Sequence, residues 1–271
     1  VNGVEDQTRR LVEVCRMRDT PIIVFVNKMD RDGKNRFDLL EEVENELKIA
    51  LHPMTWPINS GKDFKGVYNL HNKSLCLFTA STKADGEDTI AIDDLSNTIL
   101  DNKIGERDAA QLREDVELLD GVYGQLNVAD YLAGKISPVF FGSAVNNFGV
   151  QEMLDTFVQV APKPLSRLTS ERMVTPEEDK FSGFIFKIHA NLDPKHRDRI
   201  AFMRVCSGKF ERNKYYHHVR INKDVRFSNP YSFLARSKDV IEDAFPGDVI
   251  GLFDTGNFKI GDTLTEGEDF F

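Results

Sequence analysis

An α/β domain built on a parallel sheet, followed by a β-barrel, is the fold class that this sequence predicts. Three observations predict it. Apolar strand-like runs alternate with amphipathic helical stripes up to about residue 160. Two of those runs, Ile22-Ile23-Val24-Phe25-Val26 and Val139-Phe140-Phe141, lead into the polar loops Asn27-Lys28-Met29-Asp30 and Ser143-Ala144. Beyond Lys180 the pattern changes to short alternating strands punctuated by Gly208, Pro246-Gly247 and Gly261, as in a closed antiparallel barrel.

Taken in order, Glu5 to Arg18 places Thr8, Leu11, Val12 and Cys15 at helical spacing, with Asp6 as the expected N-terminal cap. Pro21 stops this helix and opens the first strand. Phe37 to Ala50 puts Leu40, Val43, Leu47 and Ala50 on one stripe, with four glutamates outside it. Residues 51–105 break the rhythm and read as an insertion. Within it, Val67-Tyr68-Asn69-Leu70 and Leu75-Cys76-Leu77-Phe78 form a hairpin across His71-Asn72-Lys73, Trp56 packs beneath, and Ala80 to Asp101 is an acidic, mobile loop. Helical order returns at Glu106 to Asp120, where Ala109, Leu112, Val116 and Leu119 share a face. After the strand ending at Phe141, a helix turns Val150, Met153, Leu154, Phe157 and Val158 inward. Ala161-Pro162-Lys163-Pro164 ends it, since proline lacks the backbone donor and restricts the residue before it. The expected division is therefore a first domain at 1–162, a polar linker at 163–180 and a barrel at 181–271.

Composition narrows the class. Over 271 residues, 41% hydrophobic and 29% charged side chains are usual for a soluble globular chain. Cys15, Cys76 and Cys206 are odd in number and scattered, which fits reduced thiols in a cytoplasmic protein and no paired metal motif. No stretch approaches the ~18 apolar residues of a membrane span. The net charge of -9 is uneven: residues 1–160 carry 17 Lys and Arg against 27 Asp and Glu, whereas residues 161–271 carry 18 against 17. Residues 181–226 hold 11 basic and 4 acidic side chains, which suits either a polyanion such as RNA or a solvated sheet face.

The loop Asn27-Lys28-Met29-Asp30 carries the chemical signal. A carboxylate at its fourth position can accept two hydrogen bonds from the N1 and N2 edge of guanine, and adenine offers no matching pair. Bonds to charged groups contribute roughly 1.5 to 3 kcal/mol each, and such a site can reject the wrong base by about 10⁴-fold. The same four residues are also ordinary turn chemistry. The second loop, Ser143-Ala144, favours the base-reading alternative, because ligands of parallel sheets sit at the carboxyl ends of strands, where two such loops meet. The phosphate-binding pattern G-x-x-x-x-G-K-[ST] occurs nowhere in the chain. With the start at Val1, that leads us to expect a piece of a larger protein, cut just downstream of the phosphate-binding half.

These two loops resemble the fourth and fifth guanine-nucleotide motifs of translational GTPases. Closer resemblance, to the bacterial peptide-chain release factor three group, lies in Met54-Thr55-Trp56-Pro57-Ile58, Phe64-Lys65-Gly66-Val67-Tyr68, the stretch from Gly142 to Val150, and the long string from Asn191 to Phe202. The resemblance spans essentially the whole chain. It implies a partial P-loop GTPase domain followed by a translation-factor barrel. It further implies GTP or GDP as ligand, Mg²⁺ in the full-length protein with its ligands absent here, and catalytic groups lying before Val1, so that no catalytic residue is assigned. A third domain would follow Phe271. Asp30 would meet the N1 and N2 edge, Lys28 would lay its stem over the ring, Asn27 would brace a loop that includes Met29, and Ser143-Ala144 would back the base through the main chain.

The partners implied are the ribosome and the stop-codon-reading release factors, with a monomeric state and no membrane. Elongation-factor-G-like translocases, ribosome-protection GTPases and a non-hydrolysing ribosome-binding module are the alternatives. On the barrel, Lys195, His196, Arg197 and Arg199 follow Pro194 as candidate RNA contacts, or as a charged loop packing on the neighbouring domain. His217-His218 is not a metal site, because adjacent strand residues point to opposite faces and no further ligand stands at a suitable spacing. Arg16 and Arg18 are expected to pair with nearby acids or water.

Overall fold

The computed structural model describes residues 3–79, 88–190, 199–234 and 237–267. It forms two compact units, one ending at Pro162 and one beginning at Lys163.

In the first unit, α1 (Asp6–Met17) leads to β1 (Val24–Val26), and α2 (Arg36–Leu47) leads to β2 (Ala50–Pro53). Glu5, not Asp6, is the N-cap of α1; Asp6 is already helical and pairs with Arg9 at 2.6 Å. Asn35 caps α2 by accepting from the Phe37 amide at 2.9 Å, and Lys48 ends it in the left-handed region. Ala50 consequently leaves the helical stripe and opens β2, whereas Leu40, Val43 and Leu47 are buried as their spacing requires.

The segment read as an insertion is more ordered than expected. β3 (Thr55–Ile58), β4 (Gly66–Asn69), β5 (Ser74–Leu77) and β6 (Asp88–Ala91) form an antiparallel sheet in that order, which contains the predicted hairpin. Pro57 is tolerated because β3 is an edge strand. The acidic stretch ends in β6 and runs on to α3 (Thr98–Ile104), so it is not one long loop; residues 80–87 lie outside the described residues. α4 (Glu106–Tyr123) buries Ala109, Leu112, Val116 and Leu119 as predicted. The short α5 (Val128–Leu132), capped by Asn127, was not anticipated.

β7 (Ile136–Phe141) is the centre of a parallel sheet in the order β1-β7-β2, and α6 (Val150–Val160) follows it. Trp56, Val67, Leu75, Leu112 and Phe141 share one core, so the second sheet is continuous with the first and has no separate interior. Trp56 is fully buried, and its indole N–H donates to Asp115 at 2.8 Å. Two helical stripes depart from expectation. Leu11 of α1 is 57% exposed and only Val12 is buried, while Leu154, Phe157 and Val158 of α6 are exposed and Glu152 and Val160 are buried. Spacing identifies an apolar face; no described element covers these two.

The second unit opens with a small hairpin inside the expected linker, β8 (Arg167–Leu168) with β9 (Met173–Val174), whose turn is tied by Thr169. The main sheet uses β10 (Ser182–Ala190), β11 (Arg199–Ser207), β13 (Tyr215–His218), β14 (Lys223–Arg226), β15 (Tyr231–Leu234), β16 (Ser237–Val240), β18 (Val249–Asp254) and β19 (Thr263–Thr265). β12 (Phe210–Glu211) pairs with β17 (Asp243–Ala244) beside it. The eight strands run in the order β14-β13-β19-β10-β11-β18-β15-β16, an antiparallel sheet curled around Phe181, Ile185, Met203, Phe210, Tyr216 and Leu252. Among the described residues no ladder joins β14 to β16, so the barrel is curled without a hydrogen-bonded seam. No helix among the described residues is long and apolar enough to cross a membrane.

Candidate functional site

The parallel register of β1 on β7 pairs Val24 with Val139 and Val26 with Phe141, so the loops leaving both strands emerge side by side. Two further bonds carry the ladder into the loops: the Gly142 amide donates to Val26 O, and the Met29 amide donates to Gly142 O, each at 3.0 Å. Gly142 must lack a side chain, because a Cβ there would overlap the Phe148 carbonyl and meet the Phe25 ring at 2.8 Å.

Asn27 joins the two loops directly. Its Oδ1 accepts from the Lys28 amide at 2.7 Å and from the Ala144 amide at 2.9 Å. Lys28 takes φ 66°, and the Arg31 amide closes the turn onto Lys28 O at 3.0 Å. Met29 points inward and is 1% exposed, anchoring the loop in the core. Its carbonyl accepts from the Gly61 amide at 2.8 Å. Asp30, next in the chain, is half-buried, and its carboxylate has no partner among the described residues. The Lys28 side chain is exposed and equally without a partner among them.

On the facing loop, Ser143 is 1% exposed and pairs with Phe148 through both backbone groups at 3.0 Å, while its hydroxyl accepts from the Asn146 side-chain Nδ2 at 2.8 Å. Ala144 is exposed at the rim. Of the sequence-predicted residues, Asn27, Lys28, Asp30 and Ala144 thus line one rim, with Met29 and Ser143 buried behind it. Chemically, this rim offers an unpaired acceptor and an exposed ammonium stem beside two fixed backbone turns.

Sequence reasoning missed Gly61, Asn59 and the role of Gly142. Gly61-Lys62 attracts notice in the sequence only as a failed phosphate-loop match. The cleft behind the loop, about 620 Å³, is lined by Met29, Asn59, Ser60, Lys65, Arg107 and Asp108 among others. Asp108, at the start of α4, is pushed up by burial but held below the usual carboxylate range overall by hydrogen bonds from Lys65 and Asn59.

The barrel candidates fare differently. Lys195, His196 and Arg197 lie outside the described residues. Arg199 pairs at 3.1 Å with Asp254, whose side chain is fully buried and also accepts from the amides of Gly256, Asn257 and Phe258. His217 faces Asp224 at 3.2 Å and His218 faces Asp262 at 2.9 Å. Arg16 hydrogen-bonds the carbonyls of Leu47 and Lys48 and pairs with Glu13.

The donor set here suits a guanine base. The sequence contains no G-x-x-x-x-G-K-[ST] pattern, and among the described residues there is no cluster of three metal-ligating side chains.

Residues 1–163 match the model of the elongation factor Tu GTP-binding domain, and residues 180–267 match that of elongation factor G domain 2. The fold is also similar to a crystal structure of a protein from Thermus thermophilus, at 18% identity and a TM-score of 0.68, over 99% of this chain and 40% of that one. The chain thus spans well under half the length of that protein. Because the first of these domain models covers more than half of the 271 residues, the chain belongs to the translational GTPase family.

Proposed function

We propose that this chain carries the guanine-recognition loops and a ribosome-facing barrel of a GTPase that acts in translation termination, recycling stop-codon-reading release factors from the ribosome. One observation carries the nucleotide part. Asn27 bridges to the Ala144 amide, while the neighbouring Asp30 carboxylate is half-buried with no partner among the described residues. A partly desolvated, unpaired carboxylate is costly unless a ligand supplies its donors. Asp30 receives the N1 and N2 protons of guanine, Lys28 covers the ring, and the Ser143-Ala144 main chain backs it.

The termination assignment rests on the strings at Met54–Ile58, Phe64–Tyr68, 142–150 and 191–202. The match to elongation factor G domain 2 supports the alternative of a translocase or ribosome-protection GTPase. The proposed domain division is 1–162, with an insertion near 51–105, a linker at 163–180 and a barrel at 181–271. Lys195, His196, Arg197 and Arg199 are proposed to meet RNA phosphates. The working protein is a cytoplasmic monomer that needs Mg²⁺. This stretch alone binds nucleotide weakly and does not hydrolyse it, because phosphate contacts supply most nucleotide affinity.

The test of base reading is Asp30→Asn in the full-length protein. An amide in place of the carboxylate pairs with the 2-oxo group of xanthine, so preference should pass from GDP to XDP. Retained GDP preference would refute it. Ribosome complexes stalled after peptide release separate the functions: GTP-dependent loss of bound release factor supports termination, and GTP-dependent tRNA movement supports the alternative.

A further inference from the structure

We infer that Gly61, which opens the short 3-10 turn Gly61–Asp63 between β3 and β4, is a positioning residue for the base-reading loop and ties the second sheet to nucleotide selection. The inference deepens the guanine-reading assignment and rests on it.

The Gly61 amide donates to the Met29 carbonyl at 2.8 Å, and the Met29 amide is held by Gly142 O at 3.0 Å. With its side chain in the core, Met29 is fixed at three points. The Met29 carbonyl lies in one rigid plane with the Asp30 nitrogen and Cα. Holding that oxygen therefore fixes the peptide plane from which the Asp30 Cα departs and narrows the directions open to its side chain.

The position admits only glycine without displacement. Gly61 has φ +65°, and a Cβ there would overlap the Asp32 Oδ1 and lie 3.3 Å from the Asp32 amide nitrogen, two residues after Asp30. The turn is fixed on its far side as well. The Asn59 side-chain amide donates to Asp108, which Lys65 also pairs at 2.5 Å. The Phe64 amide closes the turn onto Gly61 O at 3.2 Å, and the Lys65 amide bonds Ile58 O at 3.0 Å. A chain of contacts thus runs from the first turn of α4 through Asp108, Asn59 and Gly61 to the peptide that leads into Asp30.

The experiment uses the full-length protein and fluorescent GDP and IDP. Inosine lacks the 2-amino group, so the ratio of their affinities reads the second bond to Asp30. Gly61→Ala is expected to speed GDP release by about 5- to 30-fold and to shrink GDP-over-IDP discrimination by a similar factor. Gly124→Ala is the matched control, with φ +59° and open space around the added carbon; it should change neither. If Gly61→Ala does not fold, Asn59→Gly replaces it, since glycine keeps the backbone at φ 61° while removing the amide that Asp108 holds. A smaller loss of the same kind is expected. Unchanged GDP-over-IDP discrimination in these variants, or an equal loss in Gly124→Ala, overturns the inference. If Asp30→Asn also fails to gain XDP binding, the base-reading assignment fails first; if it gains XDP binding, only the role of Gly61 is lost.

Discussion

Acid titration of the barrel tests the energetics of one buried cluster. Asp262, just before β19, has a side chain 3% exposed and accepts from Arg220 at 2.5 and 2.8 Å, from His218 at 2.9 Å and from the Lys259 amide at 2.8 Å. Burial pushes its carboxyl up, but these four donors outweigh burial and hold it at about 2, against an ordinary 3.8. The folded value lies below the unfolded one, so the contribution is complete above about pH 4 and is lost as pH falls through about 2. Its size is about 2 kcal/mol. Urea unfolding of the wild type and Asp262→Asn, followed by hydrogen exchange in β13 and β19, should give curves that differ at neutral pH by at least about 2 kcal/mol and converge toward pH 2. The single tryptophan, Trp56, lies in the other unit and serves as an internal reference. Parallel curves across the whole acid range would refute the assignment of this stability to Asp262.

Asp115 is a second buried acceptor, serving Trp56, Arg36 and Gln111 from α4. Asp115→Ala should cost the first unit about 3–5 kcal/mol and Asp115→Asn less, read by Trp56 fluorescence in urea. Burial pushes Tyr68 and Tyr216 up to about 12, so in a spectrophotometric titration these two of the six tyrosines should ionise last, and Tyr68→Phe should remove one of the late steps. Alanine at Lys195, His196, Arg197 and Arg199 should weaken ribosome binding and lower its salt slope by about 1 per lost phosphate contact. Unchanged affinity at every salt concentration would remove the proposed RNA surface. Arg199→Ala alone should also destabilise the barrel, because it strips the buried Asp254 of its counter-ion.

What the sequence made legible was local. α4 and the β4-β5 hairpin follow from period and turn chemistry, and both formed where expected. β2 was hidden because only Lys48 and Ile49 separate it from α2, so its first residue fitted the helical stripe. β3 carries Pro57, which reads against a strand until its edge position is known. α5 is too short for periodicity to show and is marked only by the Asn127 cap. The exposed faces of α1 and α6 show the limit of amphipathic reading. Spacing gives an apolar stripe, but burial depends on which element lies opposite, and that is not a local property.

The same distinction explains why the proposed base-reading rim stands out in the sequence while its support does not. Under that proposal Asn27 and Asp30 are recognisable because the chemistry of one base edge would dictate side-chain type and spacing within four residues. Ser143 and Ala144 become informative only if their strand lies parallel and adjacent to β1, and the β1-β7 register supplies that adjacency. Gly61, by contrast, acts through its backbone amide, a group every residue but proline possesses, so its type reveals only the positive φ and the close approach to Asp32. A side-chain contact leaves a mark on the sequence, whereas a backbone contact across 32 residues leaves little more than a glycine. Selectivity at Asp30 should therefore respond to changes in the second sheet that touch neither nucleotide nor loop side chains. Substitutions at Gly61 or Asn59 should alter the choice between GDP and IDP while leaving the phosphate contacts alone. A variant that weakens GDP and IDP equally would point to general loosening of the domain.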